Sequence, residues 1–84
     1  SDLMEIMTIA EVIKNLVGME VTEDFENDVI CAFEDYEFEG ETEVIVSEDK
    51  SNTNIDYQAY INHSDAPIIC IKIQDGKIVN AWEA

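Results

Sequence analysis

The stretch PIICIKIQDGKIVNAW, Pro67 to Trp82, reads as a β-hairpin, and that reading decides the fold. Two apolar runs flank Asp75-Gly76, a pair that accepts the positive φ angles of a two-residue hairpin turn. A regular ladder from that turn sets Ile73 opposite Ile78, Ile71 opposite Asn80 and Ile69 opposite Trp82. Side chains alternate across a strand, so Ile69, Ile71, Ile73, Ile78 and Trp82 are expected on one face, the core side. Lys72, Gln74, Lys77 and Glu83 then take the other face.

Upstream of the hairpin the same period of two continues. Ile55, Tyr57, Ala59 and Ile61 alternate with Asp56, Gln58, Tyr60 and Asn62, the pattern of a half-buried strand. Glu43 to Ser47 alternates with Val44 and Val46 on one side, and Glu48 to Asn54 is a polar loop between the two. Before that the period is helical. Ile6, Ile9, Ala10, Ile13, Leu16 and Val17 form one apolar face of a helix over residues 3–17, which Gly18 ends. Thr22 with Glu23, Asp24 and Glu26 marks a second helix start, because a Thr hydroxyl caps free N–H groups and acids favour the positive end of the helix dipole. Phe25, Val29, Ala32 or Phe33, and Tyr36 carry its apolar stripe, and the helix is expected to end near Glu34.

The predicted architecture is α+β: two N-terminal helices packed on one face of a three- or four-stranded antiparallel sheet that ends in the C-terminal hairpin. Residues 4–84 form a single domain in this reading, with 1–3 a remnant ahead of a start at Met4. An extra strand over 34–39, before Gly40, is the open variable.

Charge is the second decisive feature. Between Lys14 and Lys50 lie thirteen carboxylates and no Lys or Arg, in a chain of net charge −16. A hydrophobic content of 46% nevertheless predicts a folded core, with the acids outside it. Binding to nucleic acid requires cations that displace counterions from phosphates, so DNA and RNA are excluded as direct partners, and an anionic membrane surface by the same sign. An acidic N-terminus without a continuous apolar run predicts a cytoplasmic protein, and Cys31 and Cys70 are read as reduced core thiols.

Catalysis has little support. His63 is the only histidine, and its neighbours Ser64 and Asp65 are expected to form an exposed turn and not a triad. Asp49 to Asn54 lacks the glycine and the terminal acid of a calcium loop, the cysteines lack zinc spacing, and no glycine-rich phosphate loop is present. No catalytic, metal or cofactor residue is therefore assigned.

The acids themselves form the candidate site. Glu34, Asp35, Glu37, Glu39, Glu41 and Glu43 are interleaved with Tyr36 and Phe38, and Glu23, Asp24, Glu26 and Asp28 supply a second row on the helix. Alternate strand residues repeat at about 6.6 Å and helix residues i and i+4 at about 6 Å, on the scale of a nucleic-acid backbone. If Gly40 makes a turn, Glu37 to Glu43 form a compact carboxylate cluster instead. Tyr36 and Phe38 are expected to offer flat apolar area to the partner.

In small size, acidity and α+β pattern the chain resembles the phage and mobile-element proteins that disable host defence by imitating DNA, the anti-CRISPR and anti-restriction groups. The likeness is one of overall character and covers no motif. It implies a non-enzymatic inhibitor seated in the DNA-binding groove of a nuclease or CRISPR effector. The competing readings are an immunity or antitoxin-like protein that neutralises a basic toxin, a regulatory subunit that pairs through a sheet edge, and an acidic surface that serves solvation alone.

Overall fold

The computed structural model describes residues 7–51 and 53–84. The first helix, α1 (Ile9–Leu16), begins at Thr8, whose hydroxyl accepts from the Glu11 N–H while the Glu11 carboxylate accepts from the Thr8 N–H. This reciprocal cap satisfies two otherwise orphaned donors and fixes the helix start. The predicted helical residues before Met7, and the proposed remnant, lie outside the described residues. Past Leu16 the chain turns at Val17 and Gly18, the latter at φ 94°, as the left-handed helix end requires.

The second helix, α2 (Phe25–Ala32), begins three residues after Thr22. The Thr22 carbonyl and hydroxyl accept from the N–H groups of Phe25 and Asp24, so Thr22 organises the turn that leads into the helix. The helix ends in a turn at Phe33 to Asp35.

Four strands follow: β1 (Val44–Glu48), β2 (Tyr57–Ile61), β3 (Ile68–Gln74) and β4 (Lys77–Glu83). They form an antiparallel sheet in the order β1-β2-β3-β4. No strand forms over 34–39. In its place Phe38 and Glu41 bridge across Glu39-Gly40, both at positive φ, as a tight hairpin turn. Asp75 and Gly76 adopt the same conformation at the β3–β4 turn, as their sequence predicts.

The helices cover one face, α1 against β4 and α2 against β1. Val12 and Leu16 of α1, Phe25 and Val29 of α2, and Ala59, Ile61, Ile69, Ile71 and Ile78 of the sheet make the centre of the core. The rings of Phe25 and Tyr57 meet at 4.8 Å, which ties α2 to the start of β2.

One expectation is overturned. Ile73 faces Ile78 as predicted, but Lys72 faces Asn80, so Val79 is an extra, unpaired residue on β4. Beyond this bulge the register moves by one, and Trp82 faces Cys70 while Ala81 faces Ile71. Ala81 joins the core, and Trp82 turns to the uncovered face, where it is half-buried. Glu83, assigned to the outer face, moves to the helical side opposite Ile69. The cause lies in Asn80: the regular ladder would aim its amide into the core opposite Ile71, and burying an unpaired amide is costly. The bulge exposes Asn80, whose Oδ1 accepts from the Ala81 N–H at 2.9 Å.

Just ahead of the start of β2, Asp56 extends its ladder. Its backbone N–H donates to the Ile71 carbonyl, and its carboxylate accepts from the Ile73 N–H at 2.6 Å. Lys72 Nζ lies 3.7 Å from the same carboxylate and donates to the Thr53 carbonyl.

These placements set an order of stability. Ile71→Ala, at a fully buried position, is expected to cost about 2–5 kcal/mol in urea unfolding. Trp82→Ala is expected to cost less and to leave the chain folded by circular dichroism. Asp56→Ala, which strands the Ile73 N–H, is expected to cost about 1–3 kcal/mol. Unfolding of the Trp82 variant with tolerance of the Ile71 variant would contradict the bulged register.

Candidate acidic interface

The helix α2 and the connection from it to β1 carry most of the acids chosen from sequence. Their backbone places them on the β1 side of the domain. A hollow lined by Glu23, Asp24, Phe25 and Glu26 lies beside Tyr57, which faces Glu48 across the sheet. At the other end, a cleft of about 330 Å³ is lined by Ile30, Cys31, Phe33, Glu34, Tyr36, Thr42 and Val44. The helix therefore runs alongside β1 in the opposite direction.

The proposed helical row is not a single row. Glu26 and Asp28 are two residues apart, about 200° around the helix, and point to opposite flanks. Asp28 is half-buried and accepts from the Thr22 hydroxyl at 3.4 Å, whereas Glu23, Asp24 and Glu26 are exposed. Acids in this first turn complement the helix dipole. Glu34 and Asp35 do the reverse: they follow the C-terminal end of α2, where no basic residue sits in the last turn. Negative charge there opposes the dipole.

In the 37–43 segment the turn at Glu39-Gly40 replaces extended spacing with a folded one. Glu39 reaches His63, with Oε1 3.6 Å from Nε2, and Glu43 accepts from the Asn62 side chain at 3.1 Å. Glu41 is exposed and Glu37 half-buried. His63 is held on three sides: its Nδ1 accepts from the Asp65 N–H, its ring meets Phe38 at 4.9 Å, and Nε2 faces Glu39. Among the described residues, no three His, Cys, Asp or Glu side chains converge as metal ligands.

The two aromatic residues of the acidic stretch turn inward. Tyr36 is 8% exposed and packs edge-to-face with Phe33, and Phe38 packs half-buried against the core. They anchor the acidic connection to the domain and offer little ring area to a partner. Burial, reinforced by the Glu83 charge, pushes the Tyr36 phenol above its usual range. The alternating acid–aromatic pattern, Glu-Phe-Glu and Asp-Tyr-Glu, is in retrospect the signature of a connection with one face inward.

The uncovered face of the sheet is opposite in character. Register places Ile45, Ser47, Gln58, Tyr60, Ile68, Cys70, Lys72, Gln74, Lys77, Asn80 and Trp82 there. These strand positions hold two of the four lysines and none of the twenty acids. Cys70 is buried on this face, with its thiol pushed up by burial and then by the Asp49 charge, and Cys31 is exposed on α2. The two thiols are free, on opposite sides of the domain, and only Cys70 fits the expectation of a buried residue.

Comparison of the chain with protein-family models, with curated proteins and with solved structures gave no match. Among the described residues no helix is long and apolar enough to cross a membrane.

Two measurements check this picture. Screening of exposed like charges relieves repulsion in the native state, so the melting temperature is expected to rise as NaCl goes from about 10 mM to about 0.5 M. A flat response would mean the acids are already compensated. With iodoacetamide at mildly alkaline pH, Cys31 is expected to be labelled first, because Cys70 is both shielded and poorer in thiolate. Equal labelling of both in the folded protein would contradict the packing of the uncovered face.

Proposed function

We propose that the protein is a non-enzymatic inhibitor that presents its acidic side to the phosphate-reading groove of a basic nucleic-acid-binding protein, in the manner of anti-CRISPR and anti-restriction DNA mimics. The observation that carries this reading is the asymmetry of charge. Acids crowd α2 and the 34–43 connection, and the strand positions of the uncovered sheet face carry none. Asp49 and Asp56 meet that face only at its margin, beside Cys70 and Lys72, so the acids are concentrated on one side and not spread evenly as a coat that served only solvation would be. Glu34 and Asp35 also stand where the helix dipole disfavours them, a local cost to the fold. Exposed carboxylates of this density steer a cationic partner and raise its association rate. Glu23, Asp24, Glu26, Glu34, Asp35 and Glu41 are the freely exposed contacts, and Glu39 and Glu43 are contacts already tethered to His63 and Asn62.

The test is capture from a bacterial lysate with the tagged protein and with a Glu26→Lys, Glu34→Lys, Glu41→Lys variant, all at exposed positions. The wild type is expected to retain a nucleic-acid-binding protein at low salt and release it to added duplex DNA. The variant is expected to retain none while keeping its circular-dichroism spectrum. Capture that survives the charge reversal, or that duplex DNA fails to displace, would overturn the reading.

A further inference from the structure

The two edges of the sheet are treated differently. Along the start of β4 the segment 18–21 adds a partial strand: Gly18 N–H donates to the Ile78 carbonyl, Ile78 N–H to Met19, and Val21 N–H to Gly76. Further on, Asn80 satisfies the Ala81 N–H. The edge at β4 is thus covered or capped over much of its length.

At β1 nothing comparable occurs among the described residues. Asn62 N–H donates to the Glu43 carbonyl and Asp49 N–H to the Asp56 carbonyl, so residues 43, 45, 47 and 49 direct their backbone groups toward β2. The N–H and C=O groups of Val44, Val46 and Glu48 consequently point away from the sheet. A row of unpaired backbone groups is a template for another strand. Beside it lies the cleft lined by Ile30, Phe33, Tyr36 and Val44. Ile30 is 42% exposed, an apolar side chain on the solvent flank of α2.

That flank carries a pattern. Glu26 and Ile30, four residues apart, lie on one line of α2, beside and antiparallel to β1, and Glu34, in the turn just past the helix end, lines the same cleft as Ile30. The rise from Glu26 to Ile30 is about 6 Å. Alternate side chains of a strand repeat at about 6.6 Å, so a strand laid on the β1 edge would set its alternate residues against Glu26, Ile30 and Glu34 in turn. In an antiparallel ladder, residues opposite Val44, Val46 and Glu48 send their N–H groups toward β1 and their side chains to the helical side.

We propose that the β1 edge and the adjoining α2 flank form a docking groove for an extended segment of a basic partner protein, with the pattern cation–x–apolar–x–cation. The apolar residue enters the cleft at Ile30, and the flanking cations meet Glu26 and Glu34. The backbone completes the ladder on Val44, Val46 and Glu48. This rests on the reading that the partner is basic and adds how a segment of it is held. A second copy of this chain does not fit: its own β1 edge would bring Glu48 and the acids of α2 against their like.

The probe is the acetylated, amidated peptide Thr-Lys-Thr-Val-Thr-Lys-Thr, titrated into the ¹⁵N-labelled full chain and followed by amide shifts. The expected result is saturable perturbation at Val44, Val46, Glu48 and Ile30. Methylation of the Lys, Val and Lys amides, which face β1, should weaken binding roughly tenfold or more, and methylation of the Thr amides should leave it within about twofold. Equal loss or equal retention for the two methylated peptides would overturn the edge docking. If the lysine peptide binds regardless of methylation while its glutamate counterpart does not, the edge inference falls and the basic-partner reading stands. If lysine and glutamate peptides bind alike, both fall. Absence of lysine-peptide binding at millimolar concentration overturns the edge docking alone, since the capture experiment tests the basic partner independently.

Discussion

One unpaired residue, Val79, decides what each face of this domain is. Because the side-chain period of a strand is two, a single insertion after Ile78 reverses every later residue of β4. Ala81 goes to the core, where the helices approach the sheet, and Trp82 goes to the face the helices leave open. The arrangement avoids a buried amide at Asn80 and puts a small residue opposite Ile71, close to α1. With Ile69, Ile71 and Ile78 fixed on the helical side, Val12, Leu16, Phe25 and Val29 have one continuous apolar surface to cover. The remainder of the architecture follows from covering it.

A chain with this charge folds because its acids stay at the periphery. No charged or polar residue is buried among the described residues, so the core bears no desolvation cost that the apolar contacts must offset. Repulsion is confined to solvent-facing positions, where water and salt weaken it. Asp56 is the instructive exception, an acid recruited into the backbone ladder at Ile73 with Lys72 beside it. Elsewhere the few cations leave the acids largely uncompensated. The cost is local, concentrated around the C-terminal end of α2 and the turn at Glu39-Gly40.

Short-range chemistry was legible in the sequence. The Asp75-Gly76 turn, the Gly18 helix end and the alternating strand at Tyr57 to Ile61 all formed as local pattern dictates, because backbone φ preference and side-chain period act within a few residues. What escaped was set by competition between distant groups. Trp82 looks apolar enough for any core, and only the conflict at Asn80 hinted that a regular ladder would fail. Tyr36 fits both the apolar stripe of α2 and, with Phe38, a partner-facing aromatic pair, and alternation with acids is equally the mark of one face turned inward. Spacing in sequence groups the α2 acids into one row, and helical geometry divides Glu26 from Asp28. Thr8 and Glu11, three residues apart, carry a capping signature that fixes the start of α1 more sharply than the apolar period does.

The acidic side also answers a problem that the sheet creates. An edge such as β1, with three residues directing outward groups that no described residue pairs, invites pairing with another copy of the same chain. Here such pairing is opposed by charge, since each copy would meet Glu26, Glu34 and Glu48 with its own carboxylates. Long-range repulsion of this kind discriminates by sign and not by shape, so it leaves the edge available to a cationic strand while closing it to an acidic one. The capped edge at β4 needs no such protection, and the strand positions of the uncovered sheet face carry no acid. The distribution of charge thereby follows the distribution of backbone groups: carboxylates are densest beside the edge that no described residue pairs, where they oppose self-association and, in the proposed reading, select a basic partner.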